Sequence, residues 1–118
     1  MEKSLPEIII CGENHQEYFS LLKNTLELKY PSYNVKHIKT AKTLTSNLEN
    51  HLESIKLVIL ALGEKNLRII EEYGGKGIGF VVFGKESLKK ERVFYIGKEH
   101  HHGKILGMTI NNFLTFDE

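Results

Sequence analysis

Short apolar runs alternate with stretches of helical periodicity along most of the chain. Glu7-Ile8-Ile9-Ile10-Cys11 is continuous and β-branched, the pattern of a parallel strand buried on both faces. Asn14, with Glu17 three residues on, has the form of a capping box: Asn14 accepts from an early helix N–H and Glu17 reaches back. Tyr18, Phe19, Leu22 and Leu26 then share one helical face, and Tyr30-Pro31-Ser32 stops the helix because proline cannot continue the hydrogen-bond ladder. Tyr33 to Ile38 alternates and predicts a second strand. Thr40 is placed to cap a second helix, whose apolar stripe is Leu44, Leu48 and Leu52. Leu57 to Leu62 is unbroken by any polar residue and predicts a third strand at the sheet centre. Asn66 to Tyr73 predicts a short helix with Leu67, Ile70 and Tyr73 facing in, ended by Gly74-Gly75. Ile78 to Phe83, broken off by Gly84, and Val93 to Ile96 predict the fourth and fifth strands. Leu106, Ile110 and Phe113 mark a last helix after Gly103.

Strands that alternate with helical segments imply parallel βαβ units, and right-handed crossovers put the helices on both faces. The expectation is one α/β domain over residues 1–118, a flavodoxin-like three-layer sandwich with a five-stranded parallel sheet in the order 2-1-3-4-5. The link from Gly84 to Arg92 is too short for a full helix, so the fourth helix of such a fold is shortened or missing. Gly74-Gly75-Lys76-Gly77 precedes a strand instead of opening a helix and reads as a turn, not a phosphate loop.

Charge narrows the function classes. The formal net charge is +1, which gives no general attraction to nucleic acid or to a membrane surface. Lys85 to Lys104 is the uneven stretch, with six Lys or Arg against three Glu, and is read as a solvated face. The single cysteine, Cys11, fits a reducing compartment. Met1 to Ile10 holds too few consecutive apolar residues for a signal-peptide core, and no apolar run approaches the roughly 20 residues that span a bilayer. A soluble, cytoplasmic domain is expected, and the abundance of Lys and Asn fits a bacterial source.

In an open parallel sheet, ligands bind beyond the carboxyl ends of the strands. Here those ends are Cys11-Gly12-Glu13, Ala61-Leu62-Gly63, Phe83-Gly84 and Gly97-Lys98-Glu99, the last followed by His100, His101 and His102. The set resembles the response-regulator receiver family. A receiver has an acidic pair after its first strand, a phosphoaccepting Asp ending its third and a Thr or Ser after its fourth. A Lys follows the fifth, with an aromatic switch residue three positions before it. Ile-Ile-Ile-Cys-Gly-Glu-Asn looks like the first strand and acidic pair, with the pair reduced to Gly12-Glu13. Val-Ile-Leu-Ala-Leu looks like the third strand, with Ala61 at the acceptor position, and Phe83-Gly84 offers no hydroxyl. Phe-Tyr-Ile-Gly-Lys matches the fifth, retaining Lys98 and placing Tyr95 at the switch position, although Glu99 replaces the usual Pro.

The resemblance implies a vestigial phosphorylation pocket made of Gly12, Glu13, Ala61, Phe83 and Lys98, with Lys98 expected to pair with Glu13. Magnesium is usually held through one or two carboxylates, and Glu13 alone is a poor start. A methyl group cannot attack phosphorus, so aspartyl phosphorylation at Ala61 is excluded. The expected function is that of a non-enzymatic, phosphorylation-independent interaction module. Loss of the fourth helix is expected to expose apolar surface for a protein partner or a second copy, near Tyr95, Lys98, Ile105 and Met108.

Three other chemistries compete. Cys11 sits where a IIB-type phosphotransferase component carries its phosphoaccepting cysteine. The following loop, Gly12 to Glu17, holds two acids that would repel a dianion, and a buried hydrophobic role for Cys11 is expected. A flavin or nucleotide site would need a Ser/Thr-rich loop after the first strand, which is missing, so no cofactor is expected. His100, His101 and His102 are adjacent, and neighbours in an extended chain point to opposite faces, so no metal site is expected.

Overall fold

The computed structural model describes residues 5–14, 16–84, 86, 88–97 and 104–115. Nine elements follow one another: β1 (Glu7–Gly12), α1 (Gln16–Lys29), β2 (Asn34–Ile38), α2 (Ala41–His51), β3 (Ile55–Ala61), α3 (Lys65–Tyr73), β4 (Gly79–Phe83), β5 (Val93–Ile96) and α4 (Lys104–Thr115). The strands form a single sheet in the order β2-β1-β3-β4-β5, and every neighbouring pair is parallel. The architecture is a flavodoxin-like α/β sandwich. Among the described residues between β4 and β5 there is no helix.

Side-chain alternation along the strands builds two cores, one on each sheet face. Ile9, Cys11, Val58, Leu60, Phe80 and Val82 face the layer of α2 and α3. Ile8, Ile10, Leu57, Ile59, Val81 and Ile96 face the layer of α1 and α4. Burying each of these large side chains fully contributes about 1.5–3 kcal/mol, which is why β1 and β3 tolerate so few polar positions. α4 is drawn tightly against β4 because Gly79 has no side chain: a Cβ there would lie 2.6 Å from the Phe113 ring.

Most sequence-derived boundaries hold to within two residues. Thr40 caps α2 as expected, its Oγ1 accepting from the Thr43 N–H at 3.2 Å. One inward assignment and one helix boundary need correction. Leu67 is exposed, and Asn66, Ile69, Ile70 and Tyr73 line the buried side of α3 instead. α2 ends at His51, leaving Leu52 half-buried just beyond the helix. β3 begins at Ile55, two residues before its apolar run, because Glu7 and Ile55 register at the start of the β1–β3 pairing.

Candidate functional site

The carboxyl ends of β1, β3 and β4 meet beneath an aromatic cap. Phe19, in the first turns of α1, lies over Gly12, where an added Cβ would stand 2.5 Å from a ring carbon. The ring centroid of Phe19 is 5.1 Å from that of Tyr18 and 6.1 Å from that of Phe83, and Tyr18 and Phe83 are 6.3 Å apart. Ala61 packs against the same cluster. The sequence places small residues at Gly12 and Ala61 and large ones at Phe19 and Phe83, and the Phe19 ring fills the space above Gly12. Any oxygen ligand added at position 12 would compete with the Phe19 ring for its volume.

Glu13, just beyond β1, points to the other side of this edge. Its Oε1 is 2.7 Å from Lys65 Nζ at the start of α3. Both side chains are well exposed, so the pair contributes about 0–1 kcal/mol, but the ammonium supplies the positive charge Glu13 can satisfy. Lys65 carried no signal in the sequence beyond being a lysine. Lys98, the partner expected for Glu13, lies outside the described residues, as do His100, His101 and His102. Among the described residues no cluster of three or more His, Cys, Asp or Glu side chains is arranged to hold a metal ion.

Asn66 is the polar hinge of the edge. It is buried, its Oδ1 accepts from the Leu62 N–H at 2.8 Å, and its Nδ2 donates to the Phe83 carbonyl at 3.5 Å. One side chain thereby joins the turn after β3 to the end of β4. Gln16 ties the turn after β1 in the same manner, donating from Nε2 to the carbonyls of Gly12 and Glu13. A shallow hollow of about 390 Å³ remains between α3 and the ends of β4 and β5, lined by Gly63, Asn66, Phe83 and Tyr95.

Cys11, the penultimate residue of β1, lies on the α2–α3 side of the sheet, fully buried, with its thiol donating to the Thr40 carbonyl at 3.6 Å. Burial, and then the nearby Glu13 charge, push its pKa up to about 12. A buried, protonated thiol is a poor nucleophile, which weighs against the phosphotransferase reading. His37, on β2 beside Phe19, has a pKa lowered by burial and then by Lys39 and Lys23, and its Nε2 is buried without a hydrogen-bond partner.

The second feature is the face formed by β5 and α4. Tyr95 points to the α2–α3 side, where Leu88 also packs against the core. The Tyr95 hydroxyl donates to the Leu88 carbonyl at 2.8 Å and accepts from the Leu88 N–H at 3.1 Å. Tyr95 is therefore half-buried, packed against the α2–α3 core and held by the Leu88 backbone. The exposed aromatic is its neighbour Phe94, 58% accessible, on the opposite side of the sheet. Phe94 meets Phe113 edge-to-face at 6.1 Å, and the Arg92 guanidinium lies 5.5 Å from the Phe113 ring. These residues border a groove of about 270 Å³ with Thr109 and Asn112. Ile105 and Met108 on α4 are exposed as expected, at 45% and 61%. Of the seven exposed large apolar residues among those described, five (Leu21, Leu28, Phe94, Ile105 and Met108) lie on the α1–α4 side, so the excess apolar surface is on that layer, not over the lost helix.

Comparison with known proteins gives no match: no family model, no curated protein and no solved structure matches this chain. Among the described residues no helix is long and apolar enough to cross a membrane.

Proposed function

We propose that this chain is a degenerate receiver-like domain that works as a phosphorylation-independent protein-interaction module, in a cytoplasmic signalling or regulatory setting. The single observation that supports this most is the aromatic cap: the edge where a receiver builds its acidic pocket is occupied by Tyr18, Phe19 and Phe83 over Ala61. On this reading Ala61 stands at the position of the nucleophile, and the Phe19 ring takes the space beside Gly12 in which an oxygen ligand would have to sit. The apolar surface at Phe94, Ile105 and Met108 is the complementary part of the reading, because exposed apolar patches on small domains mark surfaces that meet another molecule.

Two measurements test it. Incubation with acetyl phosphate and Mg²⁺, followed by intact-mass analysis, is expected to leave the mass unchanged, and addition of a phosphoryl group would overturn phosphorylation independence. The double variant Phe94→Ser/Met108→Ser is expected to stay folded, with the modest loss of melting temperature that follows from giving up the Phe94–Phe113 contact, and to lose any protein the wild type captures from a native extract. The control Leu28→Ser, on α1, is expected to keep it. Equal capture by all three would remove the interface from the β5–α4 face.

A further inference from the structure

Resting on the reading of the β5–α4 face as a docking surface, we infer that its occupant is a second copy of this chain, with α4 packed antiparallel against α4 of its partner about a two-fold axis. The observation behind it is the absence of charge on an exposed helix. From Ile105 to Thr115 the chain carries no Asp, Glu, Lys or Arg, although Ile105, Gly107, Met108, Asn112 and Thr115 are all exposed. The opposite layer is built differently: the exposed side of α3 carries Arg68, Glu71 and Glu72. A helix whose outer face is left to water is normally polar or charged on that face. On α4 the outer positions 105, 108 and 112 follow one another at helical spacing and read Ile, Met, Asn, a narrow uncharged seam.

A seam without charge suits a symmetric contact. In an isologous pair every residue meets its own copy or a near neighbour, so a charge near the axis would face a like charge. A charged partner would instead select a complementary charge along the helix, and α4 has none between its ends; the one charge bordering the neighbouring groove, Arg92, lies over the Phe113 ring. The one charge of α4, Lys104, sits at the N-terminus, the unfavourable end for a cation in the helix's own macrodipole. Antiparallel pairing brings Lys104 to the C-terminal end of the partner helix, where a cation is favoured. An axis between Met108 and Asn112 places each Met108 about one helical turn from its copy and lets Phe94 flank the seam. α4 has twelve residues and is about 18 Å long, which is short beside the roughly 800 Å² per partner of a standard interface. The pair is therefore expected to be reversible and concentration-dependent.

The test is sedimentation velocity of the full chain over a concentration series, with charge-swap variants at Met108, which is exposed enough to accept them. The wild type is expected to shift from monomer to dimer as concentration rises. Met108→Glu and Met108→Lys are each expected to stay monomeric with unchanged melting temperature, and an equimolar mixture is expected to restore dimer. Ile105→Lys should weaken the wild-type dimer, and Leu28→Lys should leave it intact. A wild type that stays monomeric into the submillimolar range overturns the self-pairing while leaving the docking surface to a different protein, which the capture experiment reads separately. A dimer indifferent to Met108→Glu overturns the role of α4. Monomeric single variants with no recovery on mixing overturn the antiparallel two-fold arrangement.

Discussion

Gly12→Ala is the smallest perturbation that probes the aromatic cap. The new Cβ would stand 2.5 Å from one Phe19 ring carbon and 3.0 Å from two others, whereas carbon atoms pack at about 3.5–4.0 Å. The ring has to retreat by roughly 1 Å, and it is bordered by Tyr18, His37 and Phe83, with ring centroids 5.1, 5.9 and 6.1 Å away. Overpacking of this kind costs about 1–3 kcal/mol. Losing a glycine from the unfolded chain returns about 0.4–1 kcal/mol, which leaves a net loss of up to about 2.6 kcal/mol, and the tightness of the 2.5 Å approach puts the expected value at about 1–2 kcal/mol. In urea unfolding this is a midpoint lowered by about 0.5–1 M at unchanged slope. The cause is isolated by a double-mutant cycle with Phe19→Leu, a smaller and more adaptable side chain. In that background Gly12→Ala is expected to cost under about 0.5 kcal/mol, a coupling of about 1 kcal/mol or more. A neutral Gly12→Ala, or an equal penalty in both backgrounds, would refute the claim that the Phe19 ring fills this site.

Three further outcomes follow from the same geometry. Asn66→Ala strands the buried Leu62 N–H and should destabilise by about 1–3 kcal/mol; a change below about 0.5 kcal/mol in urea unfolding would contradict its hinge role. Cys11 should resist a thiol reagent in the native state and react only at the rate of unfolding. Its folded pKa of about 12 lies above the ordinary 9.0, so its contribution to stability is complete below pH 9 and lost as pH rises towards 12, a loss that Cys11→Ala should remove. His37 has the opposite sign: its folded pKa is depressed below 6.5, so its contribution is complete above pH 6.5 and lost as pH falls through the folded value. His37→Gln should flatten that acid limb in urea titrations, and an unchanged limb would assign it to other groups.

The strands and helices were legible because their signals are local. The β-branched run Ile8-Ile9-Ile10 and the apolar run from Leu57 have no other good solution than buried parallel strands, and Thr40 announces α2 by its own chemistry. Leu67 was misplaced because periodicity was counted from the leucine. Counting Asn66, Ile70 and Tyr73 as one stripe gives the buried face, and a polar first member of an inward stripe was the available signal for the hinge. The candidate site was legible in what it lacks. Ala61 rules out an acceptor from the sequence alone, but the cap depends on Phe19 of α1 meeting Phe83 of β4, a contact between distant segments that no local pattern encodes. Tyr95 and Phe94 are neighbours on opposite faces of β5. Which of them is exposed depends on Leu88, whose backbone engages the Tyr95 hydroxyl from a separate segment.

The central claim, that the carboxyl edge is closed to a metal and a phosphoryl group, is tested most directly by backbone amide NMR. Spectra are recorded with and without Mg²⁺ and beryllofluoride, a mimic of the phosphoryl group. The account predicts no saturable shifts at Gly12, Glu13, Ala61 or Phe83. Saturable shifts at these amides would mean that the aromatic cap opens to admit an anion, and the pocket would then have to be counted as functional.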